Sequence, residues 1–142
     1  MKTLKSLLFA LALVVTSTVV KANDEPTAAR LSKDYAVASY INAVANGKME
    51  GLNDALDQTA KFSILRGKTV LSYSKEDMLK FMNTTKDVKQ ACSTSASVVE
   101  SNSDMAIVKV DMNYKDFVRS NYVTIANTGN GWKITNVYSV FK

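Results

Sequence analysis

From Met105 to Lys142 apolar and polar residues alternate with a period of two, and few folds satisfy that pattern. Ala106, Val108, Val110, Met112 and Tyr114 share one side of a strand, and Ile107, Lys109, Asp111 and Asn113 share the other. Alternation of this kind marks a strand with one face buried and one face in water. Lys115-Asp116 leads to a second strand, Val118 to Asn127, where Val123 and Ile125 oppose Tyr122 and Thr124. Thr128-Gly129-Asn130-Gly131 is a glycine-bearing hairpin loop. The last strand is expected to place Trp132, Ile134, Asn136, Tyr138 and Val140 on one side. A Ser-, Thr- and Val-rich strand from Gln90 to Glu100 precedes these three, with Asn102-Ser103-Asp104 as the turn.

The chain ahead of this meander supplies material to cover one face. Val37, Tyr40, Ile41 and Val44 recur at helical spacing, which predicts a helix from Ser32 to Ala45 stopped by Asn46-Gly47. Met49, Leu52 and Leu56 predict a shorter helix, Met49 to Leu56, ended by Asp57-Gln58-Thr59. Lys61–Leu65 and Thr69–Tyr73 form a hairpin about Arg66-Gly67-Lys68. Ser74, with Asp77 three residues on, has the spacing of a capping box and opens a helix from Lys75 to Asn83. Its Met78, Leu79, Phe81 and Met82 suit a buried lid or plug. Helices first and strands last make an α+β domain, with N-terminal helices on the concave face of a strongly curved antiparallel sheet. The curl can leave an apolar cavity beneath the first helix.

Residues 1–22 form a separate unit. Lys2 and Lys5 precede an apolar run, Leu7 to Val15, and Val20-Lys21-Ala22 fits a cleavage site, the organisation of a secretory signal peptide. Thr16, Ser17 and Thr18 interrupt the run, which falls short of the roughly 20 apolar residues of an anchor helix. The expected product is periplasmic or secreted after cleavage near Ala22 and has no membrane association. Residues 23–31 are a flexible lead-in, and residues 32–142 are one domain. Removing residues 1–22 takes three lysines and no acid, so 18 bases against 13 acids become 15 against 13, and a net charge of +5 becomes +2. No basic run remains to track nucleic acid. The chain has one cysteine, Cys92, and no histidine, which argues against a disulfide within the chain, a zinc site or any metal. No cofactor motif is present.

The order of elements resembles the nuclear transport factor 2-like superfamily, closest to its putative lumazine-binding and polyketide-cyclase-like branch. Four segments carry the likeness. They are Asp34-Tyr35 to Tyr40-Ile41, Asn46-Gly47-Lys48, Ser74 to Leu79, and Asn121 to Ile125 continuing into Gly131 to Val137. The resemblance implies a cone with a pocket at its mouth, and often a homodimer formed through the sheets. It does not imply one function, because members include dehydratases, isomerases, cyclases and binding modules. Many catalytic members use His–Asp pairs in the cone, and an aspartate often precedes the tyrosine of the penultimate strand. This chain has no histidine, and it has Asn121 at that place. Asparagine does not act as a proton-transfer base. The pattern places no carboxylate securely inside: Asp111 falls on the polar side of its strand, and Asp116 lies in a connection.

Tyr40, Met112, Tyr114, Asn121, Asn136 and Tyr138 are the candidate ligand-binding residues, since apolar walls with a few polar tips suit a small, partly aromatic ligand. Tyr40, Met112 and Tyr138 also read as ordinary core residues, and Asn121 also reads as a structural hydrogen-bonding group. Trp132 is expected to close the narrow end of the core. Arg119 reads as an exposed strand-end arginine, with reception of an anion at the mouth as the alternative. No catalytic residue is assigned. The expected function is an exported, non-catalytic cone that binds a small apolar or aromatic molecule or a protein partner. One alternative is a dehydratase or isomerase using tyrosine and carboxylate groups. Another is a homodimeric interaction module without a ligand.

Overall fold

Ser32 starts the first helix, α1 (Lys33–Asn46), by accepting the Tyr35 N–H on its hydroxyl at 3.1 Å. The computed structural model describes residues 30–142. The signal peptide expected over 1–22, and residues 23–29 of the lead-in, lie outside the described residues. At its other end α1 closes on Gly47, whose φ of 67° is left-handed. There Gly47 N–H donates to Ala43 O and Lys48 N–H to Asn42 O, both at 3.1 Å.

The helix is seated by small residues. Ala36, Ser39, Tyr40 and Ala43 are buried, while Val37, Ile41 and Val44 of the expected stripe are half-buried beside them. Alanines at the seam let the helix backbone approach the sheet, and Tyr40 fills the space between.

The expected second helix shrinks to one turn, α2 (Leu52–Ala55), and strand β1 (Leu56–Arg66) begins at once. Asp57-Gln58-Thr59, expected to end a helix, lies instead in an irregular start to this strand. Register against β6 shifts between Leu56 and Lys61. The Asp57 carboxylate accepts the Thr59 N–H at 2.9 Å and also the Thr59 hydroxyl, which holds its carboxyl below the ordinary range. Burial of Leu56, Ala60 and Phe62 outweighs the local helical spacing. The chain continues through β2 (Thr69–Ser74), α3 (Lys75–Thr84), β3 (Ser93–Ser101), β4 (Met105–Asn113), β5 (Val118–Thr128) and β6 (Gly131–Phe141). Ser74 caps α3, accepting Asp77 N–H at 3.2 Å and donating to Asp77 Oδ2 at 3.0 Å. Among the described residues no helix is long and apolar enough to cross a membrane.

All six strands form one sheet in the order β2-β1-β6-β5-β4-β3. Four neighbouring pairs are antiparallel, but β1 and β6 run parallel, so the sheet is mixed where an antiparallel one was expected. The long connection through β2, α3 and the meander gives β6 room to return alongside β1 in the same direction. Helix α1 packs over β4, β5 and β6, and α3 packs over β1 and β2. The face beneath the helices is the inner one.

One irregularity overturns the expected alternation of the last strand. Ile134 pairs with Ile125 while Asn136 pairs with Thr124, so Thr135 is an extra residue, a β-bulge. Beyond it the faces exchange. Val137 and Ser139 turn inward and are buried, and Asn136 and Tyr138 go to the outer face, half-buried.

The glycine at the end of α1 is tightly enclosed. A Cβ on Gly47 would stand 2.7 Å from the backbone nitrogens of both Asp87 and Val88, whereas one on Gly67, at φ 61°, would meet nothing within 4 Å. Gly67→Ala is therefore expected to cost about 1 kcal/mol of left-handed strain. Gly47→Ala is expected to cost roughly 2–4 kcal/mol, because backbone must move as well. Urea unfolding of both variants checks this, and equal losses would contradict it.

Candidate functional site

A cavity of about 800 Å³ opens between the helices and the inner face of the sheet. Tyr40, Ala43 and Val44 of α1 form one wall, and Met78, Phe81 and Met82 of α3 form another. Phe62 and Ile64 of β1, with Leu71 and Tyr73 of β2, form the sheet side. Arg119 and Phe141, from facing ends of β5 and β6, complete it beside Tyr114. The volume is that of a small-molecule site, and the lining is mostly aromatic and aliphatic.

The polar groups are unevenly satisfied. Tyr40 is 1% exposed, and its hydroxyl has no hydrogen-bond partner among the described residues. Burial pushes that hydroxyl up to about 12, and the nearby Arg119 charge offsets part of the rise. Tyr114 donates to Gln90 Oε1 at 3.1 Å and stacks on Phe117 with centroids 4.5 Å apart. Its hydroxyl is also raised, first by burial and then by the Cys92 thiol, with Arg119 opposing. Asp77 is the one carboxylate among the described lining residues, and it is exposed at the start of α3. The side chain that helps cap α3 thus also borders the opening, a position that the strand pattern did not indicate.

Below the cavity, Asn121 is fully buried. Its Nδ2 donates to Val110 O at 3.1 Å, and its Oδ1 accepts from Ser139 Oγ at 2.6 Å. Among the described residues no group of three His, Cys, Asp or Glu side chains could hold a metal ion.

A family model described as "Putative lumazine-binding" matches residues 33–139. The chain belongs to the putative lumazine-binding family. Solved structures share the fold of this family member at low identity. A nuclear transport factor 2-like protein of unknown function from Silicibacter pomeroyi is 14% identical, with a TM-score of 0.58 over 77% of this chain and 90% of the other. A cystatin-like fold protein from Burkholderia xenovorans is 16% identical, with a TM-score of 0.61 over 80% and 91%. A structure titled putative ketosteroid isomerase, from Parabacteroides distasonis, is 11% identical, with a TM-score of 0.54 over 75% and 84%. No curated protein matches the sequence.

In this lumazine-binding-family chain the six candidate residues do not converge. Tyr40 and Tyr114 line the cavity. Met112 is buried on the inner face opposite Arg119 but is not part of the wall. Asn121 sits beneath the wall in a structural hydrogen-bond network. Asn136 and Tyr138 lie on the opposite face of the sheet, turned there by the bulge at Thr135. Arg119, read as exposed, is half-buried and borders the cavity. Its parity with Asn121, Val123 and Ile125 along β5 carried that signal. Phe62, Tyr73 and Phe141 were not singled out, because short aromatic strands read equally as core. Trp132 packs against the core, with Lys33 Nζ 4.7 Å from its ring centroid.

Because the folded Tyr40 value lies above its unfolded value of 10.0, the unfolded chain loses the proton first as pH rises. Stability is therefore expected to fall between about pH 10 and about pH 12, by roughly 2–3 kcal/mol at the upper end. Tyr40→Phe removes this contribution. Urea midpoints from about pH 8 to about pH 11.5 should diverge above about pH 10, with the Phe variant less sensitive to alkali. Parallel curves would mean that the hydroxyl is solvated.

Proposed function

We propose that this chain is an exported, non-catalytic binding protein that holds a small molecule of apolar or aromatic character in the cavity beneath α1. The observation that carries this reading is the space of about 800 Å³, walled by phenylalanine, methionine and aliphatic side chains and by tyrosine rings, with polar tips set among them. Family membership supports a ligand-binding cone. The absence of histidine from the chain and the engagement of Asp77 by Ser74 support binding over chemistry.

A thermal-shift screen with small aromatic compounds tests the reading. A ligand present at about 100 times its Kd adds about 2.7 kcal/mol to the stability of the folded state, enough for a clear rise in melting temperature. Leu71→Trp, on the exposed edge strand β2, should obstruct the cavity, preserve the fold and abolish the shift. A shift that survives obstruction, or no shift from any compound, would sink the proposal. Deuterium uptake at the α-carbon of a bound ketone would instead establish an isomerase, the reading that Asp77 at the cavity edge favours.

Export and self-association belong to the same proposal. N-terminal sequencing of the product recovered outside the cytoplasm is expected to begin at Asn23, and light scattering of that product is expected to give twice the monomer mass. A retained residue 1–22 segment or a monomer mass would remove the corresponding element.

A further inference from the structure

Arg119 borders the cavity without a counter-charge. Arg119 projects inward from β5, flanked by Met112 of β4 and Phe141 of β6, and borders the cavity. Its Nε is sealed from solvent and has no acceptor among the described residues. Its hydrogen bond from Nη2 to Ser139 Oγ is long, at 3.5 Å. The ion pairs among the described residues are Lys48–Asp87, Lys80–Glu76 and Lys109–Asp111, and none involves Arg119.

The neighbouring protein groups are already engaged. Ser139 gives its proton to Asn121 Oδ1 at 2.6 Å, and Asn121 gives its own to Val110 O. This polar chain leads away from Arg119 and ends on backbone without meeting a negative charge. Asp77 accepts from Ser74. A second cation, Arg66, borders the same cavity, 6.0 Å from the Phe141 ring. The described lining thus holds two cations and one anion. A guanidinium partly withdrawn from water without a counter-charge carries a desolvation cost, and a bound anion reduces that cost.

We infer that Arg119 receives the carboxylate of a small apolar acid whose hydrophobic body occupies the cavity, an assignment that rests on the binding reading above. The planar guanidinium matches a carboxylate through parallel charge-assisted hydrogen bonds. Arg66 is exposed, so the half-buried Arg119 is the one cation set against the apolar wall, and a single guanidinium there matches a monoanion. Tyr40, with its partnerless hydroxyl on the same cavity, is a second donor. Phe62, Tyr73 and Phe81 suit the apolar body.

Two matched pairs of probes test this by isothermal titration calorimetry. 2-Naphthoate and 2-naphthamide share a shape and differ in charge, and decanoate and decanamide do the same for an aliphatic body. In at least one pair the acid is expected to bind about tenfold more tightly than its amide. Which pair shows the preference distinguishes an aromatic from an aliphatic body. Arg119→Gln should reduce the acid to the affinity of the amide and leave the amide unchanged. Arg119→Lys retains the charge without the fork and should lose several-fold in acid affinity. If Arg119→Gln does not fold, the Lys variant carries the test.

Arg119→Met removes the uncompensated charge, so the melting temperature of ligand-free protein should not fall. Equal binding of acid and amide by the wild-type protein overturns the role of Arg119 and leaves the binding reading intact. Failure of all four probes to bind overturns both. An acid preference that survives Arg119→Gln, or a large loss of thermal stability in Arg119→Met, assigns the guanidinium a structural role and also overturns the inference.

Discussion

The single extra residue in β6 decides what the cavity is made of. With Thr135 bulged out, Ile134 and Val137 both face the helices, and every residue beyond them changes sides. Without that step Tyr138 and Val140 would point inward, and Ser139 and Phe141 would face out. The core would still be apolar, but Asn121 would lose the hydroxyl that satisfies its carbonyl, and Phe141 would leave the wall. Bulges bend the strand that carries them and raise its twist. The same residue therefore shapes the sheet and sets which face each later side chain joins.

The consequence for chemistry lies in the polar chain on the inner face. A buried asparagine must be satisfied on both its nitrogen and its oxygen, and Val110 O and Ser139 Oγ do this. That arrangement fixes the orientation of the amide and uses the proton of Ser139. Arg119 is left with a weak bond to an oxygen that is already donating elsewhere. Positive charge next to Tyr40 and Tyr114 works against the effect of burial on both hydroxyls. The aromatic walls and the cationic group are thus one electrostatic unit.

Much of the fold was legible in the sequence. The helix from Ser32 to Ala45, the Ser74–Asp77 cap, the strand spacing in β4 and β5 and the glycine-bearing turn before Trp132 all rest on local rules that tertiary structure did not override. Failures occurred where a long-range partner set the outcome. The Met49–Leu56 spacing is helical, yet pairing with β6 draws Leu56 into a strand. Asn136 and Tyr138 obey alternation until the bulge, which depends on the twist of β5 against β6 and leaves little trace in the sequence. Tyr40 and Tyr114 were found because each lies on a face whose burial was evident. For Arg119 the exposed reading was preferred over anion reception because a charged strand-end residue is ordinarily solvated, yet its parity points inward and the residue borders the cavity.

Residues 85–90 join the two helical walls. Asp87 N–H donates to Gly47 O at 2.9 Å, Gln90 N–H donates to Ala45 O at 2.7 Å, and the Gln90 side chain holds Tyr114. The C-terminal ends of α1 and α3 are thereby strutted to one another by main chain. Neither helix can swing outward at that end without breaking both bonds. The opposite side is built from β2, an edge strand that is exposed along its length, and the first turn of α3. The enclosure is a jaw with a fixed hinge, and its free lip is the edge strand β2 with the start of α3, since β1 is held in the sheet by β6.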